Sequence, residues 1–220
     1  MIGRLSDFLA CKILAGENLT NDERELYNYG FFMLTSHSLY FVLACLFGII
    51  FKCLLQAIIF YITFQLIRRF AGGYHADTEA KCEFLSTVSI VGSLGIIKLS
   101  KVYDFHLALL CLALLFAVVI ALFAPLDTAE KPLTKKEFCC FRKVTLLLLL
   151  LLLIIITAAY YFKIYSLTAP CCISLILEGI LAVAGKIKRT YQKNSCQANN
   201  VTTVFYVLYF RKSHIASLFG

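Results

Sequence analysis

Residues 53–82 read CLLQAIIFYITFQLIRRFAGGYHADTEAKC. An apolar run, Cys53 to Ile67, ends at the paired cations Arg68 and Arg69. Gly72 and Gly73 follow, then Tyr74 and His75, and a new apolar run opens near Cys82 and continues to about Ile97. Glycine pairs weaken a helix interior, so the spacing predicts two helices with a break between them. Gln56 and Gln65 turn one side of the first helix toward protein, not lipid. Ser86, Thr87, Ser89, Gly92, Ser93 and Gly95 give the second a run of small residues of the kind that permits close helix contact.

The same pattern extends outward in both directions. Before it lies Phe31 to Phe51, and after it Phe105 to Ala124, Val144 to Phe162 and Ile164 to Ala184. Pro125 closes the fourth run, and Pro170 interrupts the sixth, which also carries Glu178. The chain is 60% hydrophobic and 15% charged, which excludes a water-facing domain of this size. The fold expected is all-α: a polytopic membrane protein with six transmembrane helices. Met1 to Leu14 adds an N-terminal interfacial amphipathic helix, with Ile2, Leu5, Leu9 and Ile13 on one face. Thr20 and Glu23 have the spacing of a capping box, from which a helix is expected to run into the first span. The first apolar block begins too far into the chain for a signal peptide. One integral membrane domain over residues 1–190 is expected, with a tail over 191–220 whose structure the pattern leaves open.

Charge sets the orientation. Of 21 Lys and Arg, only Lys52, Lys98, Lys101 and Lys163 fall in the loops that are outside if the N-terminus is inside. The expected location is a cell membrane, multi-pass, with the N-terminus and residues 68–82 cytoplasmic. The net charge of +8 then reflects inner loops that attract anionic lipid or an acidic peptide, and it does not call for nucleic acid. Half of the ten cysteines, Cys45, Cys53, Cys111, Cys171 and Cys172, sit in apolar runs as small hydrophobes. No CxxC pair is present, and Cys139-Cys140 lacks the histidine spacing of a zinc site, so neither metal nor cofactor is expected.

Residues 68–82 bring together a nucleophile, a base and two cations. A thiol with pKa ~8.5 supplies little thiolate at neutral pH and needs a base or a positive field. His75 is the candidate base for Cys82. In one continuous helix the two would stand about 10 Å apart along the axis, beyond the roughly 3 Å of proton transfer. The glycine break is therefore required to fold His75 back, and a helix start near Cys82 would favour a negative sulfur. Arg68 or Arg69 is placed to support an oxyanion, or simply flanks a span. Asp77 and Glu79 are either imidazole orienters or solvated loop acids. His37 and Glu178 are read as bonded packing groups before functional ones. A Cys and a His seven apart is a weak signature by itself.

Arg-Arg-x-x-Gly-Gly-x-His with a cysteine seven further on, between membrane spans, resembles the accessory gene regulator protein B (AgrB) family of Gram-positive bacteria. The resemblance covers roughly residues 1–190. It includes Ala124-Pro125, Lys131-Pro132, the basic loop beyond, and an acid in the last span. It implies a membrane cysteine endopeptidase of quorum sensing that cleaves the C-terminal tail of a propeptide and promotes closure of a thiolactone or lactone. It implies Cys82 as nucleophile, His75 as base, and Arg68, Arg69, Gly72 and Gly73 as supporting neighbours. Lys131 falls in a loop that the resemblance links to peptide handling, and Lys135 and Lys136 are read with it as substrate-binding. The implied partner is an AgrD-like propeptide with an acidic C-terminal tail, and a homodimer is compatible with the resemblance. The competing reading is a small transporter without protease activity, with His37, Gln56, Gln65 and Glu178 along a path. That reading predicts internal symmetry, which the sequence does not display.

Overall fold

The computed structural model describes residues 20–74, 76, 78–126 and 134–216. They form α1 (Asn21–Ile50), α2 (Leu54–Ala71), α3 (Glu79–Val102), α4 (His106–Phe123), α5 (Lys135–Tyr161) and α6 (Tyr165–Ala216), with no strand among the described residues. Each of the six contains a segment long and apolar enough to cross a membrane, as the sequence predicts. The interfacial helix expected over Met1 to Leu14 lies outside the described residues.

Local chemistry explains the helix starts. The Glu23 N–H donates to Thr20 Oγ1 at 3.4 Å, and the Thr20 N–H donates to Glu23 Oε2 at 2.9 Å. This reciprocal pair is the capping box read from the sequence, and α1 runs from it unbroken through the first span. Thr134 and Glu137 repeat it at 3.3 and 2.9 Å. The sequence reading missed this second box and took the basic stretch for a loop. Lys135 and Lys136 instead open α5, exposed, with Arg142 and Lys143 further along the same helix. Pro170 does not interrupt the sixth helix, which continues through it. The region beyond residue 190, left open by sequence, continues α6 to Ala216.

Two of the connections are the same tight turn. After α1 the Lys52 N–H bonds the Ile49 carbonyl and the Cys53 N–H bonds that of Gly48. After α5 the Lys163 N–H bonds Tyr160 and the Ile164 N–H bonds Ala159. Both are Schellman closures, and both place a lysine in the left-handed region that usually takes glycine, at φ 56° and 58°. Left-handed backbone costs a non-glycine residue about 1 kcal/mol or more, partly offset by the entropy a glycine loses on folding. Lys163→Gly is therefore expected to stabilise the protein by about 0.5 kcal/mol. In thermal unfolding of detergent-solubilised protein this reads as a rise of about 1–2 °C; an unchanged or lowered midpoint contradicts it.

α6 is the centre of the bundle. In its most apolar stretch 61% of residues are buried, against 33% or less in every other span. Residues from Thr168 to Leu175 are buried without interruption, whereas the Leu/Ile block of α5 leaves Leu147, Leu150 and Ile154 on the outside. α2, α3, α4 and α5 pack against α6, α1 packs outside them on α2 and α3, and the outer helices turn apolar faces outward, the arrangement a lipid environment favours. Small residues do create close helix contacts: of the run read on α3, Ser93 is buried and Ser86 meets Tyr40 of α1, but Gly92 and Gly95 are open. A side chain on Gly92 or Gly95 of α3 would meet nothing within 4 Å. A Cβ on Gly179 would instead collide with Phe116, and one on Gly48 would stand 2.7 Å from Ala57 Cβ.

Candidate active site

The break predicted at the glycines is present. α2 ends at Ala71, Gly72 caps it at φ 73°, and α3 begins at Glu79. Arg68 and Arg69 belong to the last turn of α2 and do not follow it. Thr78 caps α3, its Oγ1 accepting from the Lys81 N–H at 3.4 Å. The Cys82 N–H donates to the Thr78 carbonyl at 3.1 Å, so Cys82 closes the first turn of α3. Its side chain is half-buried and forms no disulfide.

Arg68 organises the chain between the two helices. It turns inward: Nη1 donates to the Gly72 carbonyl at 3.2 Å, and Nη2 donates to the Tyr74 carbonyl. The same Nη1 stands 3.6 Å from Oε2 of Glu178, which is fully buried in α6. That separation is an ion-pair contact rather than a hydrogen bond, and both Glu178 oxygens lack hydrogen-bond partners among the described residues. The Tyr74 N–H donates to the Leu181 carbonyl of α6 at 3.1 Å, and the Leu126 N–H donates to the Ala71 carbonyl at 2.8 Å. The segment before His75 is thus held by α6 on one side and by the chain after α4 on the other.

Each glycine here has a steric reason. A Cβ on Gly73, which sits at φ 150°, would run into the Arg68 guanidinium. One on Gly72 would stand 2.5 Å from the Leu126 carbonyl oxygen. Gly185 of α6 provides the floor, where a Cβ would reach within 2.9 Å of the Gly73 backbone. Sequence reasoning singled out Gly72 and Gly73 but not Gly185. The latter's signal is only a small residue one turn after Leu181.

Other residues gather near Cys82. Tyr40 of α1 hydrogen-bonds Ser86 and lies within electrostatic reach of Cys82 and Glu83. His37, one turn earlier, places Nδ1 3.1 Å from Gln65 Nε2, and its carbonyl accepts from Tyr61 Oη at 2.7 Å. His37 therefore bonds a neighbouring helix, as its reading as a packing group anticipates. Tyr40 was missed by sequence reasoning. The available signal is its position three residues after His37, with Ser86 one turn after Cys82. Arg69 is exposed, its guanidinium 6.0 Å from the Phe70 ring centre. His75, Asp77 and Lys131 lie outside the described residues. Among those described, no group of His, Cys, Asp and Glu is placed to hold a metal ion.

Fold and site define a multi-pass helical membrane protein. It carries a half-buried thiol at the start of one span and an arginine clasp on the glycine segment just before it. The profile of the family described as Accessory gene regulator B matches residues 4–182, and the chain belongs to that family, which is associated with quorum sensing and peptidase activity. It is 27% identical over 139 residues to the "Putative AgrB-like protein 2" of Clostridium perfringens (strain 13 / Type A). It is 26% identical over 139 residues to the "Putative AgrB-like protein" of Clostridium perfringens (strain SM101 / Type A). Each match covers 60% of this chain and 64% of the relative, so the chain spans somewhat less than two thirds of these relatives' length. No solved structure matches.

Proposed function

We propose that the protein is a membrane cysteine endopeptidase of quorum sensing that removes the C-terminal tail of an AgrD-like propeptide and passes the remaining acyl group to a ring-closing residue. The observation that carries this reading is the position of Cys82. It is half-buried in the first turn of α3, eight residues after Tyr74, the last residue of the segment that Arg68 and α6 hold in place.

The reaction runs in two acyl transfers. The Cys82 sulfur, its proton taken by His75, attacks the scissile carbonyl and forms a C–S bond. The C–N bond breaks, His75 returns the proton to the leaving amine, and the tail departs. An internal thiol or hydroxyl of the precursor then attacks the thioester, gives up its proton to His75 and expels Cys82. Exchange of a thioester for a thiolactone roughly conserves acyl-transfer potential, so no nucleotide is consumed. The site must exclude water meanwhile, or hydrolysis replaces closure. Arg68 serves here by positioning the Gly72–Tyr74 backbone, since its guanidinium is already engaged with Gly72, Tyr74 and Glu178. Arg69 stays outward on the same end of the bundle. Lys131, Lys135 and Lys136 would hold the acidic tail, with the Cys82 end facing the cytoplasm by charge bias. Membrane lipid would hold the precursor's amphipathic part, and a homodimer is compatible with this scheme.

The test is co-expression with a precursor peptide that has an acidic tail. Wild type is expected to release the tail. His75→Ala is expected to lose about 10²–10⁴ in rate, the usual worth of general acid–base catalysis, while His37→Ala retains cleavage. Loss in His37→Ala with retention in His75→Ala would reassign the base. No cleavage of any precursor by wild type would favour a transporter.

A further inference from the structure

At the end of the bundle opposite Cys82, a cavity of about 340 Å³ lies among α2, α3, α4 and α6. Gln56, Ser100, Lys101, His106, Tyr165 and Ser166 contribute to its wall. Three of these helices start there. Gln56 is in the first turn of α2, His106 opens α4, and Tyr165 and Ser166 open α6. None of the three has an acidic residue in its first turn, and the caps of α2 and α4, Cys53 and Phe105, make no side-chain hydrogen bond. Three helix N-termini therefore bring positive dipole ends to one space, beside the last turn of α3 with Ser100 and Lys101.

An independent observation points to a ligand. His106 is 7% exposed, and its Nδ1 is buried with no hydrogen-bond partner among the described residues. Its ring stacks on Tyr165 at 4.2 Å and 3°, which fixes the imidazole plane against the cavity wall. A buried ring nitrogen without a partner costs about 1–3 kcal/mol, a penalty that a bound group would relieve. Lys101 adds an exposed cation to the wall. No Asp or Glu is among the lining residues, and the nearby Asp104 is exposed and outside the lining. Dipole ends and lysine together disfavour a cation, while Ile97 and Ala169 complete a wall that is part polar and part apolar. A volume of this size suits a headgroup-sized ligand.

We propose that this cavity binds a phosphate oxyanion, presented by an anionic phospholipid headgroup at the membrane face opposite Cys82 or by free phosphate. His106 Nδ1–H and the Gln56 amide donate to it, the helix starts polarise it, and Lys101 neutralises it at the wall. The proposal is independent of the reading of Cys82.

The full chain, purified in detergent, is titrated by native mass spectrometry with phosphatidylglycerol and with diacylglycerol of the same chains. Inorganic phosphate is the free-anion probe, followed by displacement of lipid and by thermal stability. Wild type is expected to retain phosphatidylglycerol and not diacylglycerol. His106→Phe keeps the ring stack without Nδ1, and Lys101→Gln removes only the charge. Each is expected to weaken retention about tenfold, the worth of one charge-assisted hydrogen bond. Lys101 is exposed, so its variant decides the matter should His106→Phe fail to fold. Stabilisation of wild type by inorganic phosphate alone, lost in the variants, would support the same site with a free anion as its occupant. The proposal is overturned if neither probe binds wild type, if diacylglycerol binds as tightly as phosphatidylglycerol, or if both variants bind like wild type.

Discussion

Replacing Cys82 by alanine is expected to abolish tail release, with a fall on the order of 10⁴-fold or more, to the floor of a co-expression assay. The magnitude follows from the kind of step lost. No hydroxyl or water at that position forms the thioester, and the following ring closure has no acyl donor without it. Cys82→Ser separates chemistry from shape. It keeps the size and the half-buried place in the first turn of α3 but replaces sulfur by a far less acidic hydroxyl. It is expected to fold and reach the membrane like wild type while leaving the precursor intact. Mass spectrometry of the precursor checks both variants. Tail release by Cys82→Ala at more than a few per cent of the wild-type rate would remove Cys82 from the reaction.

The second large effect belongs to Arg68 and Glu178. Their side chains are 18% and 0% exposed, deep enough for the pair to be felt across the fold. Removing one partner of a buried ion pair strands the other and costs about 3–5 kcal/mol. Arg68→Met is expected to reach that range, because it also strips donors from the Gly72 and Tyr74 carbonyls. Glu178→Leu leaves a fixed guanidinium charge without its acid and is expected to fall in the same range. The double variant is expected to recover most of the loss, since an apolar pair of similar volume is often neutral or better than a buried ion pair. Precursor cleavage should not recover with it, because the segment before His75 still lacks its arginine. Thermal unfolding of the two single variants and the double variant, with cleavage measured alongside, tests both halves. Single variants as stable as wild type would show that the clasp holds nothing. Cleavage restored in the double variant would show that the loop does not depend on Arg68.

What the sequence disclosed depended on how local each signal is. Six apolar runs, the glycine break and the Thr20 box are short-range patterns, and each appears in the fold where it was read. Lys135 and Lys136 were misplaced into a loop because their basic character outweighed Thr134 and Glu137, whose spacing signals a helix start. Pro170 looked like an interruption because the missing N–H is a local fact, whereas the burial of residues 168–175 that supports the helix around it is not. The partnership of Arg68 with Glu178 spans more than a hundred residues, and nothing in either neighbourhood announces it. Gly185 and Tyr40 act on the site only through helix packing, which one sequence cannot reveal. The His106 cavity is assembled from four helix ends and was equally hidden.

The twin lysine turns have a consequence for what this architecture can absorb. Each links two spans through a closure in which every backbone bond is assigned, so one inserted residue would unwind it and rotate the following helix off its packing face. The connections after α2 and after α4 are longer in sequence, and their described residues are held by Arg68, α6 and each other rather than by one closed turn. Growth, shrinkage and new peptide-contacting sequence thus have more room at the Cys82 end, because two of the three links at the opposite rim are fixed by their own knots.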